Sequence, residues 1–215
     1  MILSDTPKIQ AFNIDCMEFM KDKPDNYYDL AIVDPPYGIN RGGQPETFTK
    51  DPKHKRREHK MKGWDSIAPT ATYFIELCRV SLNQIIWGGN YFTRHLDSSM
   101  GWVFWDKGQD LSMSDGELAF TSFERALRRI VINRVELLKD GTIHPTQKPV
   151  KLYRWLLSNY AKPNDKILDT HGGSFSSAIA CHMEGFDLDI CELDEDYFND
   201  AVKRFKLNTI QEKLF

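Results

Sequence analysis

Short apolar runs, read as strands, alternate along this chain with stretches whose apolar residues recur every third or fourth position, read as helices. Leu30, Ala31, Ile32 and Val33 form the clearest strand, apolar without interruption and therefore buried on both faces. Further strands are expected over residues 9–14, 84–87, 101–105, 117–122, 129–134, 166–169 and 187–191. The segments 117–122 and 129–134 are close enough to pair as a hairpin. Helical spacing marks residues 16–20, 72–82, 150–160, 175–183 and about 196–206. Asp15 is placed to cap the first of these, and Pro149 suits the first turn of the helix after it. This alternation predicts an α/β fold, a doubly wound and mostly parallel sheet.

One stretch breaks the pattern. Residues 38–66 hold Gly42 and Gly43 and few aliphatic residues. Within 50–62 there are seven Lys or Arg against two Asp or Glu, in a chain of 215 residues with net charge −3. A local basic patch on an acidic chain fits a DNA-contacting insertion, with Lys53, Lys55, Arg56, Arg57 and Lys60 meeting phosphates. The plainer alternative is a solvated surface loop. The length is that of a single domain, 1–215, carrying this insertion. Cys16, Cys78, Cys181 and Cys191 have no CxxC spacing and read as reduced thiols of a cytoplasmic protein, neither a zinc site nor a disulfide frame. No metal is expected. No signal peptide and no apolar run of membrane-spanning length is visible, so no membrane partner is expected.

Chemistry enters after the central strand, at Asp34, Pro35, Pro36 and Tyr37. The two prolines stop the strand and leave only backbone carbonyls, while Asp34 adds a carboxylate that accepts hydrogen bonds. Acceptors beside an aromatic ring suit a planar substrate carrying an amino group. Holding both hydrogens of that amine would free its delocalised lone pair for attack. Alternatively, this is a Pro-Pro turn with an incidental acid.

A second unit runs from Asp169 through Thr170, His171, Gly172, Gly173 and Ser174 into a helix, then to a strand ending at Glu192. Glycines allow close approach to a ligand, and an acid on the next strand accepts from ribose hydroxyls. The turn lacks GxGxxG and has no basic residue, which points to a nucleoside without phosphates. Alternatively, it is a glycine turn whose acid caps the last helix.

Taken together these motifs resemble the β-class amino-methyltransferases of DNA, in which Asp-Pro-Pro-Tyr precedes the glycine motif. Matching pieces are Asn13 to Glu18, Asp34 to Tyr37, His144 to Pro149, Asp169 to Ser174 and Ile190 to Asp194. The resemblance implies a Rossmann-like methyltransferase fold with a short inserted recognition loop, and S-adenosylmethionine as cofactor. It implies that Asp34, Pro35, Pro36 and Tyr37 hold and stack a flipped base. Asp15 would bind the cofactor's adenine, Asp169, Gly172, Gly173 and Ser174 its methionine part, and Glu192 its ribose. Asp34 and Lys148, with Pro149, would border the same pocket.

The implied reaction is methylation of adenine N6, with cytosine N4 as the alternative; Asp at the first motif position is commoner among adenine enzymes. A catalytically degenerate nucleic-acid-binding scaffold is the rival reading, and an RNA or protein substrate a more remote one. Double-stranded DNA is the implied partner, with homodimerisation a further expectation. The sequence departs from the family's Asp-Pro-Phe-x-Gly-Ser-Gly: Thr170, His171 and Phe175 replace the proline, the phenylalanine and the last glycine. His171 is expected to fill the packing place of that aromatic. The short recognition region is expected to recruit Arg125, Arg128 and Arg129 to the DNA.

Overall fold

The computed structural model describes residues 1–40, 62–108, 114–133 and 142–210. Its strands are β1 (Ile2–Asp5), β2 (Lys8–Phe12), β3 (Tyr28–Val33), β4 (Ser81–Trp87), β5 (Trp102–Asp106), β6 (Gly116–Thr121), β7 (Arg128–Val131), β8 (Lys166–Asp169) and β9 (Asp187–Cys191). Its helices are α1 (Cys16–Lys21), α2 (Ala71–Val80), α3 (Val150–Tyr160), α4 (Ser176–Glu184) and α5 (Glu195–Ile210). The strands form one sheet in the order β1-β2-β9-β8-β3-β4-β6-β5-β7.

The centre, β2-β9-β8-β3-β4, is parallel throughout. From the middle, β3 leads outward to β4 on one side and β8 to β9 on the other. The winding therefore reverses between β3 and β8, and such a reversal opens a crevice beyond the carboxyl ends of the strands. Both strands run the same way, with Ala31 beside Leu168, so Asp34 and the turn after Asp169 lie at one edge of the sheet.

Side-chain alternation along β3 explains the layers. Leu30 and Ile32 face a core shared with Leu152, Leu156, Ala178, Ile179 and Phe205 of α3, α4 and α5. Ala31 and Val33 face the opposite core, with Phe19, Met20, Phe74 and Leu77 of α1 and α2. The uninterrupted apolar run from Leu30 to Val33 is what a sheet covered on both faces demands. Asp15 caps α1, its Oδ1 accepting from the N–H groups of Met17 (2.8 Å) and Glu18 (3.3 Å).

Two expectations are corrected. The segments 117–122 and 129–134 do not form a hairpin: β6 lies antiparallel to β4 and β5, while β7 runs parallel to β5 on its far side. The intervening chain crosses the end of the sheet instead of turning back. The N-terminal strand β1, antiparallel to β2, is an addition that the apolar pattern does not mark. Among the described residues, no helix is long and apolar enough to cross a membrane.

Candidate active site

A cavity of about 320 Å³ opens at the reversal point. Its wall includes Ile14, Asp15 and Cys16 before and in α1, Asp34 and Pro36 after β3, and His144, Gln147 and Lys148 before α3. The turn from Thr170 to Ser174 and the end of β9 at Glu192, Leu193 and Asp194 complete it. The segments expected to serve two ligands thus border one space. Pro35, Tyr37 and Asp169 are neighbours of wall residues without being part of the wall themselves.

Asp34 is almost enclosed. Tyr37 Oη donates to its Oδ1 (2.6 Å), and Lys148 Nζ is paired with its Oδ2. Lys148 Nζ also lies 3.3 Å from Tyr37 Oη and 3.2 Å from Glu117 on β6. Glu117 in turn pairs with Lys107 at 2.9 Å. Burial pushes the Asp34 carboxyl above the ordinary carboxylate range, against the pull of the Lys148 ammonium. Burial opposes the charge on Lys148, but Asp34 and Glu117 hold its ammonium above the usual lysine range. The Tyr37 ring stacks on Tyr91 at 4.9 Å and 15°.

The turn carrying Tyr37 is fastened from the far end of the basic segment. Buried Asp65 accepts through Oδ1 from the N–H groups of Tyr37 (2.7 Å) and Gly38 (3.0 Å). Gly38 needs its glycine, since φ is +73° and a Cβ would come 3.0 Å from the Ala68 nitrogen. Lys62 pairs with Asp194 (2.6 Å) and Asp196 (2.8 Å) and lies 4.6 Å from the Tyr197 ring. Both ends of the segment are thereby held beside the cavity. Its basic residues Lys53, Lys55, Arg56, Arg57 and Lys60 lie outside the described residues.

At the second turn, Glu192 is clamped by backbone. Its Oε2 accepts from Gly173 N (2.7 Å) and its Oε1 from Asp194 N (2.9 Å), and burial pushes its carboxyl upward. Asp169 braces the turn from below: Ser177 Oγ donates to Oδ2 (2.5 Å) and His171 N to Oδ1 (3.0 Å). Burial pushes the Asp169 carboxyl up to about 7, although both hydrogen bonds oppose this. A Cβ at Gly172 would meet the Phe175 ring at 2.6 Å and Ile190 at 2.9 Å, so only glycine fits there. Phe175 itself holds φ +58°, the left-handed region that penalises a side chain. Its ring is fully buried and edge-on to Phe198 at 5.8 Å.

His171 packs edge-on against Tyr73 at 5.4 Å, and its Nδ1 shares a hydrogen bond with Thr170 Oγ1 (2.9 Å). Burial pushes it down to about 4, so it is neutral at pH 7, in keeping with the packing place expected of it. Cys16, on the cavity wall, has its thiol pushed up to about 12 by burial and by Asp15, and so presents no thiolate nucleophile.

One group of residues sits elsewhere. Arg125 donates to the Asn159 carbonyl at the C-terminal end of α3 and lies 4.8 Å from the Tyr160 ring. α3 begins at the cavity and ends at the opposite edge of the sheet, so Arg125 does not join the cleft. Arg129 is paired with Asp106 at 2.6 Å. Asp65 and Glu117, which hold Tyr37 and Lys148, are not marked by any local pattern in the sequence, since these partners are 28 and 31 residues away.

Residues 102–203 match the family model of N6/N4 DNA methylases. Among solved structures, the complex of M1.HpyAVI with SAM aligns at a TM-score of 0.63 and 19% identity, over 91% of this chain and 99% of that one. The PvuII DNA methyltransferase, cytosine-N4-specific, aligns at 0.61 and 13%, over 94% of this chain and 90% of that one.

Proposed function

We propose that the chain is an S-adenosylmethionine-dependent DNA amino-methyltransferase, a reading supported by the match of residues 102–203 to the N6/N4 DNA methylase model, and that its target is the N6 amine of an adenine flipped out of duplex DNA. The observation that carries this reading is the shared cavity, with Asp34 and the Gly172–Gly173 bend at the carboxyl ends of adjacent parallel strands.

The cavity fits the cofactor. Its charged wall residues are Asp15, Asp34, Glu192 and Asp194 against Lys148, a balance that favours a cation. Glu192, fixed through both oxygens by backbone N–H groups, keeps further lone pairs for ribose hydroxyls. Asp15 lines the same wall beside Ile14, and Gly172, Gly173 and Ser174 offer backbone without bulk. When bound, S-adenosylmethionine supplies an electrophilic methyl group.

The chain's own residues then have separate tasks. Asp34 and the Pro35 carbonyl each accept one hydrogen of the exocyclic amine, which aligns its lone pair and stabilises the charge developing on nitrogen. Tyr37 offers its ring to the base, and Asp65 holds the turn that aims it. Holding both reactants in line supplies much of the acceleration. No covalent intermediate with the protein is required.

Adenine is favoured over cytosine because Asp occupies the first position of the Asp34–Tyr37 motif. The segment 38–66 serves as the DNA-contacting insertion of a single 1–215 domain, its ends held by Asp65 and Lys62. Duplex DNA from cells expressing the protein, digested to nucleosides and analysed by mass spectrometry, tests the assignment. N6-methyladenine is expected; N4-methylcytosine would transfer the assignment to the other amine, and neither would favour a non-catalytic scaffold.

A further inference from the structure

The charged groups behind Asp34 form a relay that the reaction as described does not use. It runs from Lys107 at the end of β5, to Glu117 on β6, to Lys148 before α3, to Asp34 after β3. Lys107 and Glu117 are both only partly enclosed, whereas Lys148 has 2% of its side chain exposed. Glu117 does not line the cavity.

Lys148 creates a conflict at the acceptor. A buried carboxylate alone would take up a proton, and would then be a weaker acceptor with one oxygen turned donor. The ammonium prevents this, but an ammonium that gave all its N–H groups to Asp34 would compete with the incoming amine. A second carboxylate 3.2 Å from the same ammonium resolves the conflict by sharing it.

We propose that Glu117 is a positioning residue for methyl transfer, sharing the Lys148 ammonium with Asp34 so that Lys148 keeps Asp34 charged without claiming the lone pairs it turns toward the cavity. This rests on the assignment of Asp34 as the acceptor for the target amine. Lys107 neutralises Glu117 from the outer side, so the four groups carry no net charge. Glu117, although burial pushes it up, is held below its ordinary value by the two lysines.

The charged and titratable groups around Asp34 are Lys148, Tyr37 and Glu117, with Tyr153 of α3 and Asp169 of β8 farther off. Of these, Glu117 pushes the Asp34 carboxyl up and Lys148 pulls it down. Removing each therefore moves Asp34 in opposite directions, and a loss of kcat without a change in cofactor KM separates positioning from the bare charge of Glu117.

The test follows the Asp34 carboxyl by carbon-13 NMR of aspartate-labelled protein, with Asp34→Asn identifying its signal, so it needs no turnover. In Glu117→Gln the signal titrates at lower pH than in the unaltered protein, and in Lys148→Gln at higher pH. Glu117→Asp, which keeps the charge, restores the original midpoint. In parallel, Glu117→Gln lowers kcat for transfer of labelled methyl to unmodified DNA by about tenfold, the scale of a disturbed alignment, with the cofactor KM unchanged. An Asp34 midpoint that stays put in Glu117→Gln, or moves the same way as in Lys148→Gln, overturns the proposal. An unaltered protein that transfers no methyl refutes the functional assignment instead, and with it the proposed role of Glu117, whatever the NMR reads.

Discussion

At the residue scale, the buried carboxylates of the site differ in their partners. Asp34 is paired to an ammonium, Glu192 is clamped by backbone N–H groups, and Asp169 has only Ser177 and the His171 N–H to set against burial. Asp169 consequently has its carboxyl pushed up to about 7 from an ordinary value of 3.8. A raised carboxyl is neutral in the folded protein while its unfolded counterpart ionises. It therefore costs nothing below pH 3.8, and an increasing amount as pH rises toward 7. Asp169→Asn removes that dependence, with the amide oxygen accepting from His171 N and the amide N–H donating to Ser177. We expect this variant to melt at or below the parent temperature near pH 4. Near pH 8 it should melt above it, by up to about 4 kcal/mol of stability. Thermal melts at the two pH values check this, and a constant difference would refute it.

The element scale shows what could be read from the chain and what could not. Helix α3 lies over the residues its apolar spacing marked, and β3 was legible because no position from Leu30 to Val33 is polar enough to face water. The pairing of β7 was not legible, since strand register beyond neighbouring segments depends on which edge the chain happens to reach. The same limit hid Asp65 and Glu117, whose identities as plain acids acquire meaning only through folded contacts. The departures from the family's glycine motif find a physical explanation here. Phe175 stands where the family has its last glycine and keeps the left-handed backbone that glycine would favour, while its buried ring packs under Gly172. That packing makes Gly172 the more sensitive position. Gly172→Ala drives a methyl group into the Phe175 ring and Ile190, and should weaken cofactor binding at least about tenfold, a cost typical of overpacking. Calorimetric titration measures it; unchanged affinity would mean that the turn does not approach the cofactor.

At the scale of the whole molecule, the two turns proposed to hold base and cofactor meet because the winding of the sheet reverses between β3 and β8. The acidic balance of the chain is why the proposed attraction to DNA is assigned to the basic segment 50–62. Replacing Lys53, Lys55, Arg56, Arg57 and Lys60 with alanine should weaken duplex binding and flatten its salt dependence, by about 0.9 in the logarithmic slope for each phosphate that the protein ceases to neutralise. An unchanged slope in a binding titration would locate the DNA-binding surface elsewhere. The central claim is that Asp34 acts on the target amine from within the cavity that holds the cofactor, without being needed to hold it. Its most direct test compares Asp34→Ala with the parent protein in calorimetric binding of S-adenosylmethionine and in single-turnover transfer of labelled methyl to unmodified duplex DNA. The account predicts cofactor affinity within about threefold of the parent and transfer reduced at least about a thousandfold, as for removal of a principal charge-stabilising group. Undiminished transfer by Asp34→Ala would contradict it.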